Sequence, residues 1–158
     1  MSRLPTLGPR GEGWVAIQGV LLIGELAAGL AGPAWQNPGR LVSTAVGAVA
    51  MVLAALLGAR GIIDLRGSLT ALPHPRDDAE LVDRGAYALV RHPIYGGIVI
   101  GAAGFGLATA SIPAIAGAAV LRAFFRLKSA REEAWLDARY PGYPAYRART
   151  RRMLPGLY

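Results

Sequence analysis

The feature that most constrains this chain is a run of uncharged residues from Ile94 to Leu121, twenty-eight positions long. About twenty apolar residues cross the hydrocarbon core of a bilayer as one helix. The run is therefore too long for one straight helix and slightly short for two complete ones. The tripeptide Ser-Ile-Pro at 111–113 supplies a break, because a proline interrupts a continuous helix. We predict a tight hairpin of two helices, the second reaching full length by continuing through Arg122 and Phe125.

Two further apolar segments precede this run. The first extends from Trp14 to Leu30 or Trp35 and carries one formal charge, Glu25, whereas the second, Leu41–Ala59, carries none. Hydrophobic residues make up 53% of the chain, and the mean hydropathy is +0.36. The charges are gathered in a few stretches, which is typical of a membrane protein. We therefore predict an all-α integral membrane fold with four transmembrane helices, of which the last two form the hairpin.

The polar end of the chain completes the predicted architecture. Residues 126–140 are expected to form a cytoplasmic helix that leaves the membrane. Pro141 and Pro144 stop that helix, so the residues after it are predicted to fold back as a tail. By length the chain is one domain, in which residues 1–60 supply two spans and residues 61–158 carry the site.

The distribution of Lys and Arg predicts how the four spans are oriented. Sixteen of the seventeen lie in the amino-terminal tail, in the connection 60–93 or after Leu121, and the remaining one is Arg40 in the first loop. Four spans put those three stretches on one side, which the positive-inside rule makes cytoplasmic. Both termini are therefore expected in the cytoplasm. This topology accounts for the net charge of +7, so we predict no nucleic-acid partner.

Several kinds of site are excluded or disfavoured by composition. The chain has no cysteine, which excludes disulfides and thiolate chemistry. It has only His74 and His92, so we predict no metal centre built on histidine, and only a carboxylate site for magnesium stays open. Glu25 interrupts the first apolar stretch, and we therefore expect no cleavable signal peptide.

The segment Leu81–Tyr95 is the first candidate site. It ends in Arg91, His92 and Tyr95, which offer a guanidinium, an imidazole and a phenol where an apolar segment begins. Pro93 is expected to start the following helix, because proline is favoured in a first helical turn. These side chains can bind a carboxylate or a phosphate. The alternative is headgroup anchoring, since arginine and tyrosine are common at membrane interfaces.

The adjacent Glu132 and Glu133 are the second candidate. Lys128 and Glu132 are four residues apart and share one face of a helix, which Leu136 extends. Neighbouring residues on a helix point about 100° apart, so the two glutamates must face different surroundings. A solvated surface ion pair is the alternative. The tyrosines that follow, among them Tyr146, are predicted to line the tail or to form an interfacial aromatic belt.

Two features inside the apolar segments leave alternatives open. Glu25 lies near the middle of a span, where a carboxylate is costly and usually has a partner or a function. We expect either an interior hydrogen bond or contact with substrate, with Gln18 on the same helical face. Gly97 and Gly101, followed by Gly104 and Gly106, give the third span a small-residue face. That face predicts close helix packing or a cofactor lying against bare backbone.

Three motifs occur in order after the two apolar segments: LVDRGAYALVRHPIYGG, FFRLKSAREEAWL and YPGYPAYRARTRRMLPG. In this combination residues 68–156 resemble the superfamily of isoprenylcysteine carboxyl methyltransferases and phospholipid methyltransferases, which are integral membrane enzymes. The resemblance implies S-adenosylmethionine as the cofactor. It also implies methyl transfer to a lipophilic acceptor, either an isoprenylcysteine-like carboxylate or a lipid amine, at the cytoplasmic face of the bilayer.

The resemblance implies roles for individual residues. The basic residue shortly before the glutamates is implicated in catalysis in carboxyl methyltransferases, and its counterpart here is Lys128, with Arg126 close by. Glu132 is a further predicted catalytic group, as a proton acceptor for an amine or thiol. Glu25 is the predicted contact with the acceptor. The implied cofactor-binding residues are Arg91, His92, Pro93, Tyr95, Gly96, Gly97, Glu132, Glu133 and, in the tail, Tyr146.

Two other functions remain open at this point. Sterol reductases have a similar HPxY segment and a tyrosine-rich tail but use NADPH, and the glutamate pair disfavours such a polyanionic cofactor. The third possibility is a membrane scaffold whose basic face binds anionic lipid. The methyl acceptor and the oligomeric state do not follow from the sequence. If the acceptor is an amine or a thiol, its proton is expected to pass to Glu132, His92 or Glu25.

Overall fold

The computed structural model describes residues 5–36, 38–74 and 79–154, and all six helices of these ranges are α-helices joined by turns and one short 3-10 turn. Pro155 and Gly156, the last two residues of the third motif, lie outside the described residues. The helices are α1 (Glu12–Ala31), α2 (Arg40–Leu65), α3 (Ala86–Leu89), α4 (Pro93–Ala108), α5 (Ile112–Arg139) and α6 (Tyr143–Arg149). The described part is all-helical, as predicted.

Helices α1 and α2 are long and apolar enough to cross a membrane. Their large apolar side chains are mostly exposed on the outside of the protein, as expected of surfaces that face lipid. Helix α4 has sixteen residues, about 24 Å at 1.5 Å per residue, which is shorter than a hydrocarbon core of about 30 Å. Helix α5 is apolar only in its first half. Two of the four predicted spans therefore reach full length in the described residues.

Helix α2 continues to Leu65, six residues beyond the predicted end of its apolar segment. The extension contains an ion pair between Arg60 and Asp64, whose Nε and Oδ2 atoms are 3.1 Å apart. The two residues are four positions apart and so share one helical face. Asp64 also accepts a hydrogen bond from the backbone N–H of Ala86 at 2.7 Å. It thus fixes the segment that leads into the first motif.

Helices α4 and α5 form the predicted hairpin, with residues 109–111 as the turn. Ser111 caps α5 by accepting a hydrogen bond from the backbone of Ala114 at 3.3 Å, which is a preferred use of serine at a helix start. Its hydroxyl donates to the carbonyl of Ala28 in α1 at 2.8 Å. The turn therefore lies where the Ser-Ile-Pro break predicted it.

The glycines of α4 serve close packing against α2. A Cβ on Gly97 would lie 2.9 Å from the carbonyl oxygen of Ala54, and one on Gly104 would lie 2.8 Å from that of Gly47. Small residues allow helix backbones to approach in this way. The structure thus supports the packing interpretation of these two glycines.

The tail folds back across the start of α4, as predicted. The backbone N–H groups of Arg91 and His92 donate to the carbonyls of Arg151 and Arg152 at 2.8 and 2.9 Å. A Cβ on Gly96 would collide with the carbonyl oxygen of Met153 in the tail. Helix α5 continues without a break from the hairpin to Arg139, so the polar second half of α5 and the tail meet the same end of α4.

Candidate active site

A cavity of about 330 Å³ lies where the polar end of α5, the start of α4 and the folded tail meet. Its volume is within the range of small-molecule sites. Its walls are mainly aliphatic and aromatic, with a few charged groups among them. The predicted site residues on these walls are Arg91, His92, Tyr95, Lys128, Glu132 and Tyr146.

Glu132 is the carboxylate that α5 places in this wall. The hydroxyl of Tyr95 donates a hydrogen bond to its Oε2 at 2.9 Å, and Nδ1 of His92 lies 3.6 Å from the same oxygen. Burial raises the pKa of Glu132 above its ordinary value, although the histidine, the tyrosine hydroxyl and Lys128 act in the opposite direction. A carboxylate with a raised pKa holds a proton more readily and is suited to general acid–base chemistry.

Lys128 lies one helical turn before Glu132 and faces the same cavity. Its ammonium group donates to the side-chain oxygen of Gln18 at 2.5 Å and to the carbonyl of Ala71 at 3.1 Å. It also lies 5.2 Å from the centroid of the Tyr95 ring. Burial lowers the pKa of Lys128, opposed by the charge of Glu132. These two bonds fix the direction of the ammonium group.

Gln18 was not predicted as a site residue, although it lies on the cavity wall. The signal was present in the sequence, because a polar side chain within an apolar span usually faces the protein interior with a partner. The identity of that partner was not readable. The contact joins α1 to α5 across more than a hundred residues of sequence.

Glu133 points away from the cavity and is surrounded by two arginines and His92. Its Oε1 accepts a hydrogen bond from Nε of Arg91 at 2.9 Å and lies 3.1 Å from Nε2 of His92. Its Oε2 accepts a hydrogen bond from Arg152 at 3.0 Å. Burial alone would raise the pKa of Glu133, but the bonds and charges of these three partners outweigh it and hold the pKa at about 2.

Arg91 joins Glu133 to the tail. Besides its bond to the glutamate, its Nη1 donates to the carbonyls of Arg147 and Thr150 at 3.1 and 2.5 Å. One buried guanidinium therefore ties α5, the start of α4 and the tail together. The role of Arg152 was not predicted, because nothing near it in the sequence indicates a bond to Glu133.

The tyrosines of the tail and of the first motif close the cavity. Tyr146 donates from its hydroxyl to the carbonyl of Tyr87 at 2.7 Å, and both rings contribute to the cavity wall. Burial raises the pKa values of Tyr87, Tyr143 and Tyr146. These phenols therefore stay neutral across the physiological range and contribute apolar surface, and the hydroxyl of Tyr146 also donates a hydrogen bond.

The rings of His92, Tyr95 and Phe125 stack in series. The centroids of His92 and Tyr95 are 5.3 Å apart with planes 6° from parallel, and those of Tyr95 and Phe125 are 4.8 Å apart. Offset aromatic pairs of this kind each contribute about 1 kcal/mol of stabilisation beyond that from the area they bury. The stack holds His92 between the two glutamates, so one ring contacts both the cavity side and the tail side of α5.

Besides Glu133 and Glu25, four predicted site residues are not on the cavity wall. Pro93 is buried against Gly61 of α2, and Gly96 and Gly97 pack against the tail and α2. Arg126 lies on a different face of α5, beside Arg152. In this geometry Pro93, Gly96 and Gly97 serve packing, and their predicted contact with a cofactor stays a prediction. Arg126 does not share the face of Lys128, because residues two positions apart on a helix point about 200° apart.

Glu25 is also remote from the cavity. Its side chain is buried, with 7% of the residue exposed, and its carboxylate lies against the backbone of Gly117 in α5. Among the described residues neither carboxylate oxygen has a hydrogen-bond partner. Within those residues Glu25 therefore lacks the interior hydrogen bond that was one expectation, and its contact with the acceptor stays a prediction.

The family model described as phospholipid methyltransferase matches residues 42–142, a range that takes in α2, α3, α4 and α5 and most of the cavity wall. No match was found among curated proteins.

Proposed function

Because the chain belongs to the phospholipid methyltransferase family, we propose that it transfers a methyl group from S-adenosylmethionine to a lipophilic acceptor at the cytoplasmic face of the membrane. The observation that carries this proposal is the cavity that joins Glu132, Lys128 and several tyrosines at the polar end of apolar helices. A water-soluble cofactor can enter such a site from the cytoplasm and a lipid from the bilayer.

The cavity residues fit the proposed cofactor. S-adenosylmethionine carries a sulfonium and an amino group, and both positive charges are complemented by a carboxylate and by aromatic faces. Glu132 supplies a carboxylate, and Tyr95, Tyr87 and Tyr146 supply aromatic surface. The mainly apolar remainder of the wall suits an adenine ring. We therefore assign Arg91, His92, Tyr95, Glu132 and Tyr146 to the cofactor-binding wall.

When bound, S-adenosylmethionine supplies an electrophilic methyl group. The chain's own contribution is to hold the acceptor in line with that group and to exclude water. The folded tail and the tyrosines on the wall enclose the cavity on the side of the cytoplasm. Glu133, with Arg91 and Arg152, keeps the tail in this closed position and acts as a positioning residue.

The roles of Glu132 and Lys128 depend on the acceptor. A lipid amine must lose a proton, and Glu132, whose pKa burial raises, is placed to receive it. An isoprenylcysteine-like carboxylate needs no base, and the ammonium of Lys128, fixed by Gln18 and Ala71, is placed to orient it. The same cavity thus accommodates either chemistry.

The proposed orientation places both termini and the cavity in the cytoplasm. It rests on the distribution of Lys and Arg and on the four-span arrangement, in which α4 and the first half of α5 enter the bilayer as a short hairpin. Arg122, near the end of this arm, is exposed and can direct its guanidinium to the headgroups. Cysteine accessibility from either side of sealed vesicles checks the orientation, since the protein has no native cysteine.

Calorimetric titration of the detergent-purified protein with S-adenosylhomocysteine, the demethylated product, tests the cofactor. We expect binding, and roughly tenfold weaker binding by Glu132→Gln, because a hydrogen bond to a charged group contributes about 1.5–3 kcal/mol. Glu12→Gln, an exposed change of the same kind at the start of α1, is the matched control and should bind as the wild type does. If the protein bound NADPH and did not bind S-adenosylhomocysteine, the result would instead favour a reductase.

A further inference from the structure

Lys128 is the only lysine of the chain, which otherwise uses arginine for its basic side chains. The two kinds of side chain respond differently to burial, since a buried lysine can lose its proton whereas arginine stays charged in proteins. Lys128 is deeply buried, with 1% of the residue exposed, and burial lowers its pKa. The charge of this one group therefore depends on the side chains and carbonyls that surround it.

The hydrogen bonds of the ammonium group join it to two segments that are remote in sequence. Gln18 of α1 accepts one bond through its amide oxygen at 2.5 Å, and the carbonyl of Ala71 accepts a second at 3.1 Å. The ammonium also lies 5.2 Å from the centroid of the Tyr95 ring. An ammonium has three N–H donors, so two are held by these oxygens and the third remains for a ligand in the cavity.

Both hydrogen-bond acceptors of Lys128 are neutral, and this distinguishes it from Arg91 in the same cavity wall. Arg91 is paired with the carboxylate of Glu133, whose Oε1 is 2.9 Å from its Nε, so its charge is balanced. The amide and carbonyl oxygens stabilise the ammonium of Lys128 without cancelling its charge. Glu132, one turn along α5, is bonded to the hydroxyl of Tyr95. Lys128 therefore presents a positive charge to the cavity.

The neighbouring groups on the cavity wall also act on the charge of Lys128. Apart from tyrosines, the side chains of this wall that can carry charge are Glu80, Arg91, His92 and Glu132. The charge of Glu132 raises the pKa of Lys128 and so opposes the effect of burial. A hydrogen bond to the charged form of a group favours that form. The bond to Gln18 therefore acts in the same direction as Glu132.

The packing of α1 against α5 brings Gln18 to this place. The carboxylate of Glu25 lies against Gly117 of α5, and Gln18, seven residues earlier on α1, is on the same face about two turns nearer the start of the helix. The two helices run in opposite directions, so Gln18 meets the polar half of α5 at Lys128. The family match begins at residue 42, so α1 adds Gln18 to the site from outside the matched range.

Given the proposed methyl transfer, on which this inference rests, we propose that Gln18 is a positioning residue. It keeps the ammonium of Lys128 charged and directed into the cavity, where the ammonium binds an anionic oxygen of the methyl acceptor. Such an oxygen belongs to a carboxylate or to a lipid phosphate, and a charge-assisted hydrogen bond holds it. Glutamine suits this role better than glutamate, because a carboxylate would neutralise the charge that the acceptor needs. Helix α1 is therefore part of the active site as well as a membrane span.

Because the chain has one lysine, the charge of Lys128 can be measured directly. Full-chain protein labelled with carbon-13 lysine and purified in detergent gives one lysine Cε signal, whose chemical shift follows the loss of the ammonium proton as the pH rises. Gln18→Leu should increase the acid dissociation constant of Lys128 roughly tenfold, since it removes a hydrogen bond to a charged group. Gln18→Glu, which is nearly identical in shape and adds a negative charge, should decrease that constant.

The matched control is Gln36→Leu, which changes the other glutamine of the chain. Gln36 is exposed and accepts a hydrogen bond from Arg40, so its replacement should leave the titration of Lys128 unchanged. If Gln18→Leu titrated like the wild type, the proposed role of Gln18 would be overturned. It would also be overturned if both Gln18 variants shifted the titration in the same direction, because altered packing would then be the cause.

The pH dependence of methyl transfer tests the connection between Gln18 and the reaction. The wild-type rate should decline at alkaline pH as Lys128 loses its proton, and in Gln18→Leu the decline should begin at a roughly tenfold higher proton concentration. An unchanged decline in Gln18→Leu, together with a shifted titration of Lys128, would overturn the binding of the acceptor by the ammonium. Absence of methyl transfer by the wild type would instead overturn the proposed function, while the titration would still decide whether Gln18 keeps Lys128 charged.

Discussion

Glu132 and Glu133 are neighbours in the chain, yet α5 places them in two different surroundings. On the cavity side, Glu132 has one hydrogen bond from Tyr95, and 23% of its side chain is exposed. On the tail side, Glu133 has bonds or close contacts to Arg91, His92 and Arg152, and 5% of its side chain is exposed. The pKa of the first is raised by burial, whereas that of the second is held at about 2.

This difference separates the chemical and the structural parts of the site. Glu133 has most of its acceptor positions occupied by Arg91, His92 and Arg152, and its value lies in fixing α4, α5 and the tail relative to one another. A carboxylate with one partner and a raised pKa keeps the capacity to bind a cation or to receive a proton. His92 lies between the two and contacts both carboxylates.

The largest expected effect on stability is that of Glu133→Gln. The variant leaves Arg91 and Arg152 without their buried counter-charge, and breaking a buried pair in this way costs about 3–5 kcal/mol. We expect the free energy of unfolding in detergent to fall by about 3 kcal/mol, as measured by circular dichroism during denaturation. Glu132→Gln is the same chemical change one residue away. If Glu133→Gln lowered the free energy of unfolding by less than Glu132→Gln does, Glu133 would not be the structural member of the pair.

The pH dependence should have opposite signs for the two glutamates. The pKa of Glu133 is lowered from 4.5 to about 2 in the folded protein, so its contribution to stability is complete above pH 4.5 and is lost as the pH falls toward 2. The pKa of Glu132 is raised above 4.5, so Glu132 destabilises the fold increasingly as the pH rises from 4.5 to that raised value. Unfolding of wild type and both Gln variants between pH 3 and pH 8 measures this. We expect the difference in the free energy of unfolding between wild type and Glu133→Gln to shrink toward low pH. If the corresponding difference for Glu132→Gln changed with pH in the same direction, the opposite pKa shifts of the two glutamates would be contradicted.

A smaller effect is expected from the hydroxyl that closes the tail over the cavity. Tyr146→Phe removes the bond to the carbonyl of Tyr87 and should lower the free energy of unfolding by about 1 kcal/mol. Tyr143→Phe is the matched control, because among the described residues the buried hydroxyl of Tyr143 has no hydrogen-bond partner. That change should be neutral or slightly stabilising, and equal losses in the two variants would show that ring packing alone holds the tail.

The smallest change in stability is expected for Glu132→Gln. Its side chain is partly exposed and its ionised form is disfavoured by burial. At neutral pH we expect its free energy of unfolding to differ from the wild type by less than about 1 kcal/mol, measured in the same denaturation experiment. A loss as large as that of Glu133→Gln would remove the distinction between the two sides of α5.

Much of this arrangement was predictable because it follows from local rules. Proline in a first helical turn placed the start of α4 at Pro93, and helical periodicity put Lys128 and Glu132 on one face. The same periodicity required Glu132 and Glu133 to point in directions about 100° apart. The Ser-Ile-Pro break placed the hairpin turn, and the prolines after α5 indicated the folded tail.

The remainder depends on contacts between distant parts of the chain, which no local pattern encodes. Periodicity does not say which side of α5 meets the tail, so the sequence did not reveal that Glu133 is the glutamate that binds Arg91 and Arg152. The partners Gln18 and Arg152 come from α1 and the tail, and only the packed structure brings them to α5. Arg126 was expected beside Lys128 because the two are close in sequence, yet they face opposite sides of the helix.

The most direct test of the account is transfer of a labelled methyl group from S-adenosylmethionine into lipid extracted from membranes that contain the protein. Wild type and the control Glu12→Gln should incorporate label into the lipid phase. Glu132→Gln, though folded, should turn over roughly a hundredfold or more slowly if an amine is the acceptor, since general acid–base groups contribute about 10²–10⁴ in rate. No incorporation by the wild type into any lipid fraction, in membranes where the folded protein binds S-adenosylhomocysteine, would contradict the proposed methyl transfer to a lipophilic acceptor.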